Sequence, residues 1–414
     1  TYLLINKVPF TMFGIRHVQT LMLFFALVLA YGMRVNMSMA IVVMTDTTLE
    51  NSFDWSMQTQ SVILSSFFWG YIVLQIPAGE MAAKYGGMIL LTIGIGIYRL
   101  HNMFFFQGGW QLVCACRVVQ GLAQGFVVPS IYNLIGKWAP VQEKSRMGAM
   151  INSGSHLGNA IQLVVSGFIA DAWGWPAIFY VNGAVGAAWV VLYAILGSDS
   201  PQKSKFISVE ERLYIQTSLG QLGEQKKYKT PWKAIWTSVP FISLIVLHCS
   251  QNWGYWTLMT EMPSYMKKVL SVDIKANGVM SALPYLAVYI LSFPFGYMSD
   301  YLPNKKLLST TATRKLSNSI GKYGFPDSVS VTFFMTSLVH LDMAPNYAGT
   351  LLGITNMAAN IISIIAPLVA GVVLKDENFN LKWDGAPTGD HPRLHYWSTV
   401  MDRPRWVQDY CKMW

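Results

Sequence analysis

Eight stretches of this chain are apolar for about the length of a bilayer crossing, and that repetition constrains the fold more than any motif. A spanning helix needs about 20 mostly apolar residues. Runs that meet or nearly meet this are 18–44, 58–80, 112–135, 147–170, 177–197, 236–260, 277–299 and 349–374. Two more are doubtful: Arg99, His101 and Asn102 interrupt 87–106, and 328–341 is short. The expectation is an all-α, polytopic membrane protein of about ten helices, because only helices satisfy every backbone group within one segment in lipid. Composition agrees. Charged residues are 12% of the chain and hydrophobic ones 53%. A globular protein carries roughly 25% charged residues, so disorder, collagen and a small disulfide scaffold are excluded. Arg16 and His17 precede a run of full spanning length, so no cleavable signal peptide is expected.

Basic residues in the connections give the orientation. With a cytoplasmic N-terminus, the inner connections hold Lys7, Arg16, Lys84, Lys137, Lys144, Arg146, Lys305, Lys306, Arg314, Lys315 and the basic residues of 203–233. The outer ones hold only Lys267, Lys268 and Lys275. Cytoplasmic loops carry such an excess, so the net charge of +9 reports topology and not a nucleic-acid partner. The polar stretch 198–234 reads as a solvated cytoplasmic linker. It separates an N-terminal helical half, 1–197, from an incomplete C-terminal half, 235–374, and a polar tail, 375–414, follows. Gly79-Glu80-Met81-Ala82-Ala83-Lys84-Tyr85-Gly86-Gly87 after the second run has a weak echo in Gly296-Tyr297-Met298-Ser299-Asp300 and its basic continuation to Lys306. Parallel repeats about a long inner loop suit two six-helix halves.

Two arginines stand inside runs: Arg34, in Tyr31-Gly32-Met33-Arg34-Val35-Asn36-Met37-Ser38, and Arg117. A helix-centre Arg costs about 2.5–3.5 kcal/mol on insertion scales, so it is rarely idle. By the helical rise, Arg34 lies roughly 15 Å and Arg117 roughly 10 Å below the outer edge. No carboxylate in either run neutralises them, which suits an anionic substrate. The other reading is a pair of snorkelling or carbonyl-bonded arginines. Gln120 and Gln124 continue the face of Arg117. Asn152, His156 and Asn159 form a polar stripe that would bind substrate, bind a proton, or join helices. Gln251, Asn252, Tyr255 and Trp256 form a polar-aromatic patch suited to lining a cavity. His340 and Asp342 flank Leu341 at a helix end. The pairs Gly121/Gly125, Gly154/Gly158 and Gly349/Gly353 read as close-packing sites. The candidate substrate residues are therefore Tyr31, Arg34, Asn36, Arg117, Gln124, Asn252 and Tyr255; the coupling candidates are His156, His340 and Asp342.

The sequence lacks a GxxxxGK[ST] loop, so no ATP is expected, and it lacks HExxH and CxxC pairs, so no metal is expected. Cys114, Cys116, Cys249 and Cys411 imply no disulfide framework. No nucleophile–base pattern appears in the runs, so an enzyme is not expected.

Several segments together resemble one family. They are Arg34-Val35-Asn36-Met37-Ser38; Ser66-Phe67-Phe68-Trp69-Gly70-Tyr71 with Gln75-Ile76-Pro77; Arg117-Val118-Val119-Gln120-Gly121; Lys137-Trp138-Ala139-Pro140; His340-Leu341-Asp342-Met343-Ala344-Pro345-Asn346-Tyr347-Ala348-Gly349; and Gly353-Ile354-Thr355-Asn356. They resemble the anion-transporting branch of the major facilitator superfamily that contains sialin, the vesicular glutamate transporters and the sodium/phosphate cotransporter-like proteins. The likeness is closest to the insect inorganic phosphate cotransporters. It implies the major facilitator fold and alternating access. It also implies secondary active transport of a small inorganic or organic anion, phosphate-like or carboxylate, coupled to sodium or protons with no other cofactor. The implied setting is a plasma, lysosomal or vesicular membrane. Gln124 stands where sialin and the glutamate transporters have Glu, which favours sodium. Gln251 and Leu64 replace an Arg and a His of the glutamate transporters, which disfavours glutamate. Only 328–341 remains for two helices, and the tail replaces a last one, so a non-transporting membrane interaction protein is the alternative. The helix 349–374 is expected to keep the family direction, running outward, with 328–341 a short helix and the tail outside.

Overall fold

The computed structural model describes residues 13–46, 52–75, 77–97, 109–140, 143–219, 232–268, 270–309, 312–313 and 348–373. Among these, all regular structure is helical. The helices are α1 (Ile15–Met44), α2 (Met57–Leu74), α3 (Pro77–Tyr85), α4 (Gly87–Gly96), α5 (Trp110–Gly125), α6 (Val127–Trp138), α7 (Lys144–Trp173) and α8 (Trp175–Leu196). Then come α9 (Val209–Ser218), α10 (Trp232–Trp236), α11 (Val239–Lys268), α12 (Ile274–Asn304) and α13 (Ala348–Val373).

Each of the eight apolar runs lies on these helices, with local differences that prolines explain. The run 58–80 is broken between α2 and α3, because Pro77 has no N–H for the Val73 carbonyl. Pro129 likewise leaves the Gly125 carbonyl without its donor, and α5 gives way to α6 at Phe126. Gly174, at φ 75°, turns the chain between α7 and α8, and Pro176 opens the new helix. Among the described residues, five segments are long and apolar enough to cross a membrane by length and composition: Ile15–Met44, Trp110–Trp138, Trp175–Leu196, Ile274–Pro294 and Gly353–Ala370. The run 236–260 is longer than expected, since α11 continues to Lys268. Residues 98–108, 328–341 and the tail lie outside the described residues.

Glycines set the helix contacts. A Cβ on Gly154 or Gly158 would meet the Phe24 or Val28 carbonyl, so α1 and α7 run parallel in close contact. A Cβ on Gly121 would meet the Phe67 carbonyl, and one on Gly70 the Val118 carbonyl, which locks α2 beside α5. Gly353 is different. A Cβ there would meet nothing within 4 Å among the described residues, so these do not supply the close packing expected of it. In lipid such approach gains van der Waals contact, because apolar side chains are equally at home among lipid tails.

A large apolar cluster joins α1 to α4–α8, with Met33, Met37, Leu91, Ile131, Trp138 and Tyr193 among its members. A second cluster joins α1, α2 and α7 to α11 and α12 through Val35, Met39, Phe67, Tyr71, Tyr255, Trp256 and Tyr285. The direction of α13 follows from its first turns. Asn356 Nδ2 donates to Gln75 Oε1 at 2.8 Å, and Leu351 packs with Phe241 near the start of α11. Thus α13 starts at the end of the bundle where α1 and α11 start, and runs parallel to them.

The segment after α8 is less solvated than its polarity suggests. Ser208 caps α9 by accepting from Glu211 N at 3.2 Å. Ile207 and Ile215 are buried in the large cluster. Glu211 in turn accepts from Ile15 N at 2.9 Å and Arg16 N at 3.1 Å, capping α1. Arg16 completes the contact with Glu143, Nε to Oε2 at 2.8 Å, and with Glu211, Nη1 to Oε1 at 3.0 Å. Nearby, Lys137 Nζ meets Asp199 Oδ2 at 2.8 Å. Burial favours the neutral form of Asp199. Lys137 and the N–H groups of Met88 and Gly87 outweigh it, holding the carboxyl below its ordinary value.

Candidate functional site

The structure gathers most of the proposed substrate residues around Arg34. Its guanidinium carbon lies 4.6 Å from the Tyr31 ring centre, 4.8 Å from Phe67, 4.6 Å from Tyr71 and 5.3 Å from Trp256. These rings come from α1, α2 and α11, so the box exists only where the three helices meet. Rings within about 6 Å of a cation attract it through their quadrupole, most strongly when water is excluded. Arg34 is 5% exposed. Its Nη2 donates to Gln124 Oε1 at 3.5 Å, and its Nε has no hydrogen-bond partner. Among the described residues no carboxylate pairs with it.

Arg117 reaches one of these rings from α5. Its guanidinium carbon is 5.1 Å from the Phe67 ring centre, so two cations share one ring. Arg117 Nη1 donates to Gln120 Oε1 at 3.0 Å, and Gln120 Nε2 donates to the Met33 carbonyl at 2.8 Å. That chain of bonds ties α5 to α1 one residue before Arg34. The close approach of Gly121 to Phe67 places the ring where both cations reach it.

Asn252 and Tyr255 stand one step out. Asn252 donates to the His248 carbonyl at 2.9 Å and accepts from Trp256 Nε1 at 2.9 Å, so it orients the ring that faces Arg34. Tyr255 Oη accepts from Asn159 Nδ2 at 2.6 Å, joining α11 to α7. The His156 ring meets Tyr255 edge to face, with centroids 6.3 Å apart. Asn36 is buried on α1, two residues past Arg34. Asn152 is at a distance, accepting from Tyr132 at 3.4 Å. His340 and Asp342 lie outside the described residues.

Sequence reasoning missed two things. Phe67 and Tyr71 stood only in a quoted motif, although their spacing of four puts both rings on one face. Glu261 falls just past the run 236–260 and is not among the sequence candidates. It is 1% exposed, because α11 extends past it.

At the opposite end from the Arg16 cluster, ion pairs connect helices of the two groups. Lys267 Nζ meets Asp46 Oδ2 at 2.8 Å, and Lys275 Nζ meets Asp171 Oδ2 at 2.7 Å. A helical bundle of two groups with a buried cationic, aromatic centre between them is the build of a membrane carrier.

Comparison with known proteins makes this definite. The sequence model of the Major Facilitator Superfamily matches residues 23–313. A Drosophila melanogaster protein named "Putative inorganic phosphate cotransporter" is 37% identical, over 90% of this chain and 81% of its own. Human sialin is 34% identical, over 87% and 83%. Zebrafish (Danio rerio) vesicular glutamate transporter 2.1 is 31% identical, over 88% and 70%. The chain belongs to the major facilitator superfamily, in the branch that holds these transporters, and is an integral membrane transporter and not an enzyme. Solved structures agree on the fold. An inward-facing bacterial homologue of the lysosomal transporter Spinster has a TM-score of 0.64 at 12% identity, covering 97% of this chain and 93% of its own. A D-xylose–proton symporter has 0.57 at 14% identity, covering 87% and 91%.

Proposed function

We propose that this protein moves a small phosphate-like or carboxylate anion by alternating access, coupled to sodium or protons. Arg34 and Arg117 form the positive clamp. The observation that carries the reading is the pair of guanidinium groups that share the Phe67 ring, at 4.8 and 5.1 Å from its centre, among buried rings. Such a site draws an anion out of water because it repays lost hydration with charge-assisted hydrogen bonds. Gln124 and Gln120 hold the two cations in place, and Tyr31, Tyr71 and Trp256 keep water away from them. The relatives named for inorganic phosphate, sialin and glutamate transport support an anionic substrate. The excess of basic residues in one set of connections supports a cytoplasmic N-terminus.

The test is uptake of labelled phosphate or sialate into vesicles by Arg34→Ala and Arg117→Ala proteins. Loss of a charge-assisted hydrogen bond of about 1.5–3 kcal/mol predicts a fall of roughly tenfold to a hundredfold in uptake at limiting substrate. Wild-type uptake in both variants refutes the clamp.

A further inference from the structure

Glu261 is a buried acid that the clamp leaves unused. Among the described residues, two carboxyl-bearing side chains are buried, and the other, Glu143, is more exposed and is held by Arg16 at 2.8 Å. No described ion pair includes Glu261, and its Oε1 has no hydrogen-bond partner. A buried carboxylate is costly unless it is paired or neutralised.

Its position connects two parts of the molecule. Glu261 is five residues past Trp256, roughly 7.5 Å farther along α11 than the ring that faces Arg34. Lys268 lies two turns farther on the same face. Lys268 Nζ is turned to α2, donating to Gln60 Oε1 at 3.1 Å and lying 2.7 Å from Met57 Sδ. Other charged or histidine residues on the packed elements are Arg16, His17 and Arg34 on α1 with Asp46 beyond its end, His248 and Lys267 on α11, Asp273 just before α12, and Lys275 and Asp300 on it. α7 carries Lys144, Arg146, His156 and Asp171, while α2 and α13 carry no charged residue. Lys268 is thus the cation placed to answer Glu261, and in this structure it serves α2.

We propose that Glu261 binds the coupling proton, and that its protonation decides whether Lys268 bridges α11 to α2. This rests on the transport reading above. A proton neutralises a lone carboxylate through a single bond to Oε1. Sodium would need several oxygen ligands together. No second carboxylate lies on α11 to help supply them. The proton arrives at Oε1 from the compartment facing the ends of α1 and α11, and leaves the same oxygen to the other compartment. No other covalent bond changes. With the proton bound, Glu261 is neutral and Lys268 stays with Gln60, closing that end of the bundle. Without it, the carboxylate draws Lys268 away and the contact between α11 and α2 loosens.

The experiment uses the purified full chain in proteoliposomes, with labelled phosphate, sialate and glutamate. Two readouts are taken on whichever anion the wild type exchanges: accumulation driven by a pH gradient, and counterflow exchange without one. Glu261→Gln should lose about tenfold or more in accumulation, while exchange, which needs no net proton movement, falls no more than about threefold. Glu261→Asp, which keeps a titratable carboxyl, should recover accumulation. PH-driven accumulation intact in Glu261→Gln overturns the inference, as does wild-type accumulation that follows sodium and ignores pH. Loss of exchange in a monodisperse Glu261→Gln protein, unrelieved in Glu261→Asp, overturns it too, because it assigns the residue a structural role. A wild type that exchanges none of the anions sinks the transport reading itself, and this inference with it.

Discussion

Replacing Gly121 by alanine tests the packing that creates the site. An added Cβ would sit 2.8 Å from Tyr71 N and 3.0 Å from the Phe67 carbonyl carbon, and closer still to the Phe67 carbonyl oxygen. Favourable contact begins near 3.5 Å, so α2 and α5 must part by at least roughly 0.7 Å. All three obstacles are backbone atoms, which cannot swing aside as a side chain can. Overpacking of this kind costs about 1–3 kcal/mol, and sometimes more. The displaced residue is Phe67, whose ring lies 4.8 Å from one guanidinium and 5.1 Å from the other. Misplacement of about 1 Å in a positioned site costs up to roughly a hundredfold in rate. Gly121→Ala should therefore lower the unfolding midpoint in detergent by several degrees and uptake by tenfold or more, by the same scaling. Gly353→Ala is the control, since its Cβ has open space. Alanine is also the better helix former by about 1 kcal/mol, so this variant should unfold no earlier than wild type. A Gly121→Ala protein with wild-type midpoint and uptake refutes the reasoning, as does a Gly353→Ala protein equally damaged.

Tyr255→Phe removes the acceptor of the 2.6 Å bond from Asn159 and leaves a buried amide donor behind. It should destabilise by about 1–3 kcal/mol, and an unchanged unfolding midpoint would contradict the bond's role. Asp199 is held below its ordinary carboxyl value by Lys137 and two N–H groups, despite burial. Its contribution is therefore present above the unfolded value near 3.9, and is lost as the pH falls through the lower folded value. Wild type should lose midpoint more steeply than Asp199→Asn over that acidic range; parallel curves would show that the Lys137 contact contributes nothing.

The sequence alone settled the class of protein, because crossing a bilayer is a local requirement. A helix in lipid satisfies its own backbone, so each apolar run declares itself without reference to the others. The depth of Arg34 and Arg117 was also legible, since rise per residue converts position in a run to distance. What surrounds them was not. Phe67 is an ordinary aromatic in an apolar run until Gly121 lets α5 approach it, and Trp256 is a helix-lining ring until α11 crosses α1. The same holds for Glu261. A single acid at the edge of a run reads as the start of a loop. Only the continuation of α11 to Lys268, packed against its neighbours, buries that carboxyl and makes its charge matter. Gly353 shows the converse. Its spacing from Gly349 fits a packing pair, but among the described residues nothing lies within 4 Å of where its Cβ would sit. Spacing along one helix fixes which residues share a face; only tertiary structure decides what that face meets.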